Sequence, residues 1–165
     1  MFMAKMLLLL EPNSPKRVYG FDNFSGLPKS VAEDGVYAER KFGKYCGNED
    51  ILRRAISLFE LDNIVELVVG DALQTIPKFH KENPHSVLSF AYLDFDLYEP
   101  TMEALKYIDD AISVGGIIVF DEACTKDWPG ETLAMKEFLR STNKSYKMHS
   151  NQISRQPTVA LERTI

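Results

Sequence analysis

The stretch SVLSFAYLDFD, residues 86–96, decides the fold of this 165-residue chain. Its apolar residues do not alternate with polar ones, which predicts a strand covered by other layers on both faces. A sheet of such strands is parallel and flanked by helices, because parallel neighbours need crossover connections. The strand then ends in two acids one residue apart, Asp94 and Asp96. A strand leaving the core has no packing use for two carboxylates. Three roles stand open for them: solvated loop acids, metal ligands or a catalytic pair.

On either side, short runs rich in β-branched and aromatic residues alternate with helical patterns. KRVYGFD (16–22) follows the turn signals of PNSP (12–15) and reads as a strand. NEDILRRAISLFEL (48–61) reads as an amphipathic helix capped by Asn48. IVELVVGD (64–71) is a second strand, and ALQTIPKFHKEN (72–83) begins as a short helix that Pro77 is placed to interrupt. YEPTMEALKYIDDAI (98–112) is a helix with Pro100 in its first turn. GGIIVFDE (115–122) is a fourth strand and GETLAMKEFLRS (130–141) a further helix. KSYKMHS (144–150) and PTVALERT (157–164), with only NQISRQ between them, have the spacing of a hairpin. The order predicts one α/β sandwich spanning 1–165, parallel except for an antiparallel pair at one edge. The weakly periodic GLPKSVAEDGVYAERKFGKYCG (26–47) predicts a long mobile loop of the kind that covers a site.

The bulk numbers suit this picture. Hydrophobic residues make up 45% of the chain and charged residues 26%, as in an ordinary globular domain. A net charge of −5 argues against a nucleic-acid partner, which calls for a basic surface. Cys46 and Cys124 form neither a disulfide framework nor a metal-ligand spacing, which suits a reducing, cytoplasmic setting. The apolar run Met6–Leu10 is too short to span a membrane and lacks a small-residue cleavage site. A buried helix is expected there.

Four strands end in acids: Asp22, Asp71, Asp94, and Asp121 with Glu122. In an open parallel sheet the carboxyl ends of the strands border the ligand crevice, so these acids converge on one surface. Any one of them could instead cap a helix or close a turn. A carboxylate at Asp22 can accept both hydroxyls of a ribose. Asp71, after Gly70, is placed to read an adenine amino group. Asp94, Asp121 and Glu122 are hard oxygen donors from two strands expected to be neighbours, a set suited to Mg²⁺. His80, His85 and His149 are scattered and form no competing cluster.

YGFDNFSGLP (19–28), VVGDALQTIP (68–77), LDFDLYEPTMEAL (93–105), GGIIVFDEA (115–123) and WPGETLAMKEFL (128–139) occur in one order along the chain. In that order the sequence resembles the macrocin O-methyltransferase family of class I S-adenosylmethionine-dependent methyltransferases. The family includes metal-dependent enzymes that methylate sugar hydroxyls, and the resemblance runs from about residue 16 to the C-terminus. It implies a Rossmann-like three-layer sandwich, S-adenosyl-L-methionine and Mg²⁺ as cofactors, and a sugar or glycoside as substrate. It assigns Asp22, with Asn23 and Phe24 alongside, to the cofactor ribose, and Gly70, Asp71 and Ala72 to the adenine side. It assigns Asp94, Asp121 and Glu122 to the metal, although many members have two aspartates where this chain has Asp-Glu. Asp96 matches the general base. Acid/base removal of a hydroxyl proton, with attack of the oxygen on the sulfonium methyl, is the implied chemistry.

One departure bears on the fold. The family places a strand and a glycine-rich turn before the ribose acid, whereas Met1–Pro15 contain no glycine. MFMAKMLLLLEP resembles the helix that follows that turn. The sheet is therefore expected to lack its central strand, leaving two unpaired edges beside a gap that dimerisation could cover. Two rival functions are carried forward. One is a phosphohydrolase of the haloacid dehalogenase type, whose DxD motif YLDFDLYEPT imitates, with Tyr98 where Thr or Val is usual. The other is an inactive, fold-only interaction module. Trp128 in KDWPGET reads either as a hydrophobic anchor or as a face for a sugar ring.

Overall fold

The computed structural model describes residues 1–150, 156 and 158–165. Helix α1 (Phe2–Leu10) leads into β1 (Val18–Asp22), followed by a short 3₁₀ turn (Ala32–Asp34) and α2 (Gly35–Glu39). Then come α3 (Glu49–Leu58), β2 (Val65–Val69), α4 (Ala72–Glu82), β3 (Leu88–Leu93), α5 (Tyr98–Ala111) and β4 (Ile112–Phe120). Helix α6 (Pro129–Ser141), β5 (Tyr146–Ser150) and β6 (Val159–Arg163) complete the chain. The expected strand and helix order is present.

Local chemistry accounts for the element ends. Asn48 caps α3, its Oδ1 accepting the Ile51 N–H at 3.0 Å. Helix α4 runs through Pro77 instead of stopping there. Proline at its sixth position removes one backbone bond, and its ring lies on the exposed side while Ile76 and Phe79 anchor the other face in the core. The 26–47 segment also differs from a plain loop, since it carries the 3₁₀ turn and α2, with Asp34 and Ala38 buried.

The strands form two sheets. β1 and β2 pair in parallel, while the second sheet has the order β3-β4-β6-β5. β3 and β4 are parallel, and β6 runs antiparallel to both β4 and β5. The reversed strand β6 is internal and β5 pairs with it at the edge, so the expected antiparallel pair along one edge is present. The expected break in the sheet is present, with β1 and β3 each keeping one edge unpaired among the described residues.

The two sheets are covered differently. Phe79 of α4 meets Tyr19 and Phe21 on one face of β1. Ala4 of α1 and Ile56 of α3 join Val18, Val65 and Leu67 on the other. The larger sheet buries Leu93, Ile118, Phe120 and Leu161 against α5 and α6. Its opposite face is open at β3 among the described residues, where Phe90 is 44% exposed and Tyr92 38%, while Val119 of β4 is buried. β3 is therefore not covered on both sides as its composition predicts. α1 is likewise only half buried, with Phe2, Leu9 and Leu10 exposed, because only its Ala4 side faces the small core beneath it.

Candidate active site

The carboxyl ends of β1, β2, β3 and β4 open into one cavity of about 500 Å³, within the size range of small-molecule sites. Of the ten residues expected at the site, nine line it: Asp22, Asn23, Gly70, Asp71, Ala72, Asp94, Asp96, Asp121 and Glu122. Phe24 does not. Its ring packs toward Gly47, where an added Cβ would come within 2.9 Å of it.

On the β1–β2 side each acid is oriented by its own turn. Asp22 Oδ1 accepts the Phe24 N–H at 2.8 Å, and the Asp22 carbonyl accepts the Gly70 N–H at 2.9 Å. Asp71 caps α4 through the Leu73 N–H at 3.0 Å, so it is a helix cap as well as a cavity-lining acid. Gly70 has φ +139°, and a Cβ there would meet Thr75 Cγ2 at 3.0 Å. A side chain at this position is strained whatever space surrounds it.

The β3–β4 side holds a denser group of acids. Asp96 sits at φ +62°, a left-handed conformation that Asp tolerates better than most residues. Partial burial, reinforced by Asp94, Glu122 and Asp121, pushes its carboxyl up to about 7. Asp94 is also raised, by withdrawal from solvent and by Asp121, Glu122 and Asp22. Tyr92 donates its hydroxyl to Asp121, and Gln156 donates to Glu122. Among the described residues no group of three His, Cys, Asp or Glu side chains is arranged to hold a metal ion. The expected Mg²⁺ set of Asp94, Asp121 and Glu122 lines one cavity, where one oxygen of Asp121 accepts from Tyr92 and one of Glu122 from Gln156.

Four other residues at the site left no sign in the sequence pattern. Glu131 in the first turn of α6 is fully buried; its Oε1 accepts the Glu122 N–H at 3.0 Å, and among the described residues its Oε2 has no hydrogen-bond partner. Burial pushes its carboxyl up to about 8, with Asp96, Asp121 and Asp94 adding to the rise. Asp34, also buried, accepts the Tyr98 N–H at 2.6 Å and the Val31 N–H at 2.8 Å, clamping the 26–47 segment to the start of α5. Gly130 makes room for this clamp, since a Cβ there would lie 2.0 Å from Asp34 Oδ1. Tyr45 joins the cavity wall from the same segment, 6.4 Å from the Trp128 ring. Trp128 is both buried anchor and wall. Glu99 and Gln156 line the cavity too, whereas Arg155 lies outside the described residues.

Residues 1–152 match the family model described as Macrocin-O-methyltransferase (TylF). The chain belongs to the macrocin O-methyltransferase family. A relative of known function, the demethyldecarbamoylnovobiocin O-methyltransferase of Streptomyces niveus, is 31% identical over 114 residues, covering 65% of this chain and 42% of that protein. CalS11, a calicheamicin methyltransferase, superimposes with a TM-score of 0.80 at 30% identity, covering 98% of this chain and 65% of its own. Its apo structure is that of a TDP-rhamnose 3'-O-methyltransferase. NovP shares the fold, with a TM-score of 0.77 at 23% identity, covering 99% of this chain and 66% of its own. The chain therefore spans less than half of that curated relative and about two thirds of the solved ones. Within the family, the fold is that of a class I methyltransferase, and the dehalogenase-like alternative is not favoured.

Proposed function

We propose that this member of the macrocin O-methyltransferase family carries methyl transfer from S-adenosyl-L-methionine to a sugar hydroxyl of a small molecule or glycoconjugate. The observation that carries this reading is the meeting of Asp22, Asn23 and Gly70–Ala72 with Asp96 in a single cavity. Asp22 receives the ribose hydroxyls, and Asp71 with Ala72 bounds the adenine. The bound cofactor supplies an electrophilic methyl group on a sulfonium.

Asp96 takes the proton from the acceptor hydroxyl as its oxygen forms the new O–CH₃ bond. The S–CH₃ bond breaks with its electron pair returning to sulfur. A carboxyl near 7 is matched to this task at neutral pH. The remaining rate gain comes from alignment of the oxygen with the methyl–sulfur axis. No step is routed through a metal ion. Asp94, Asp121 and Glu122 are the residues that would hold Mg²⁺, since Asp121 and Glu122 each carry a second carboxylate oxygen beside the one that accepts from Tyr92 or Gln156. Assays with chelator and with added Mg²⁺ separate the cases: activity kept in chelator leaves the step to Asp96, and loss restored by Mg²⁺ assigns the ion to this trio.

Both cysteines are free, which suits a cytoplasmic enzyme; among the described residues no helix is long and apolar enough to cross a membrane. The deciding experiment is isothermal titration with S-adenosylmethionine, followed by transfer of labelled methyl to glycoside acceptors. Saturable binding and labelled product are expected. Absence of cofactor binding would sink the reading and favour the fold-only module.

A further inference from the structure

The first turn of α6 holds the turns of two other elements. Glu131 is the third residue of this helix, a post from which a glutamate ordinarily reaches back to cap its own helix. Here its Oε1 accepts the Glu122 N–H instead, at 3.0 Å. The next residue does the same a little further along, where Thr132 Oγ1 accepts the Cys124 N–H at 2.7 Å. The chain gripped between them is tightly turned. Cys124 sits at φ +68°, and Thr125 donates its N–H and its hydroxyl to the Glu122 carbonyl at 3.0 and 2.8 Å. A non-glycine residue keeps that left-handed backbone only where its surroundings fix it.

The residue before Glu131 serves the neighbouring strand end. Gly130 leaves the space that Asp34 Oδ1 needs, and that oxygen accepts the Tyr98 N–H at 2.6 Å, just beyond Asp96. Leu97, between Asp96 and Tyr98, is buried beside Ala38 and Trp128. Gly130, Glu131 and Thr132 therefore support both acid-bearing turns, 94–98 and 121–125, yet none of the three lines the cavity. A buried carboxyl group that reaches no ligand is costly, the more so as Oε2 of Glu131 has no hydrogen-bond partner among the described residues. A methionine would fill the space at less cost, but it would leave the Glu122 N–H unpaired.

Resting on the methyl-transfer reading, we infer that Glu131 is a positioning residue. With Thr132 it fixes the backbone of the 122–124 turn, and so sets where the Glu122 carboxylate stands beside Asp94 and Asp96. Glu122 is held at both ends, its N–H by Glu131 and its carboxylate by Gln156. The acceptor hydroxyl thus meets acids whose spacing is set before it arrives, as alignment with a transferring methyl requires. Helix α6 acts on the reaction through Glu122 and touches no reactant with Glu131 itself.

Two pairs of variants test this, each with one member that keeps the acceptor oxygen. Glu131→Met removes it and is expected to lower kcat about tenfold or more, with S-adenosylmethionine affinity within about twofold of wild type. That affinity is spared because Asp22 and Asp71 stand on the other sheet. Glu131→Gln keeps a carbonyl oxygen for the Glu122 N–H and is expected to restore kcat to within about threefold. Undiminished kcat in Glu131→Met overturns the inference, and so does an equal fall in both variants. If Glu131→Met does not fold, Thr132→Val against Thr132→Ser makes the same comparison at Cys124: loss in the first alone supports the inference, and any other pattern sinks it. Amide exchange followed by NMR without ligand reads the grip apart from turnover, and decides where no acceptor is turned over. The Glu122 N–H is expected to exchange about tenfold faster in Glu131→Met than in Glu131→Gln, and the Cys124 N–H likewise in Thr132→Val against Thr132→Ser. Equal rates in both pairs overturn the inference. Failure of S-adenosylhomocysteine to bind, with the exchange difference intact, overturns the methyl-transfer reading and leaves the grip on the turn standing.

Discussion

Asp96 combines a left-handed backbone, partial burial and three acidic neighbours. Activity should therefore rise with pH through about 7, as this base loses its proton. Asp96→Asn keeps the shape and the backbone preference but not the basicity; kcat is expected to fall by roughly 10²-fold or more with cofactor affinity retained. Titration calorimetry and a pH–rate profile check both parts. Glu131 behaves in the opposite sense toward stability. Its folded carboxyl holds a proton up to about 8, while an unfolded glutamate releases it near 4.5. The folded state thus binds the extra proton, and stability falls as pH rises between those values. Glu131→Gln removes this slope. The variant's melting temperature is expected to gain on wild type by several degrees between pH 5 and pH 9, measured by calorimetry. Asp94, Asp96, Asp121 and Glu122 could be read from sequence because they end apolar strands. Glu131 could not, since a glutamate in the first turn of a helix is ordinary there, and only packing shows that it points inward.

Among the elements, the 26–47 segment departs most from its sequence pattern. Its periodicity is weak because it is held by a buried polar contact and a few scattered apolar ones, Leu27 and Ala38 beside Leu97 and Trp128, not by an apolar stripe. Asp34 is the clamp and Gly130 is the space it needs. Gly130→Ala is expected to displace the clamp, lower stability by about 1–3 kcal/mol, and speed proteolysis between residues 26 and 47. Unchanged cleavage would show that the segment is held elsewhere. Asn48→Ala should cost α3 about 1 kcal/mol, read by denaturant titration. The Asn48 cap was legible because Asn before an amphipathic run has few other uses. Pro77 misleads for the converse reason: buried Ile76 and Phe79 hold α4 together across the lost bond.

At the scale of the whole molecule, the parallel layout was legible because each apolar run ends in an acid and is followed by a helical pattern. The open face of β3 was not, since an apolar strand looks alike whether its second face is covered or bare. Phe90 and Tyr92 on that face, beside the free edges of β1 and β3, are surfaces that promote association. Phe90→Lys is expected to reduce fluorescent-dye binding and self-association in sedimentation, while Tyr92 keeps its contact with Asp121. The division of the sheet also changes what a ligand does here. Asp22 and Asp71 stand at strand ends of the two-stranded sheet, whereas Asp94 and Asp96 follow β3 of the other, and among the described residues no ladder of backbone bonds joins the halves. A cofactor touching both sides becomes a cross-brace of the architecture itself. Heat resistance and amide protection along β1 and β3 should then rise together with its concentration, so that in this protein occupancy and rigidity are one measurement.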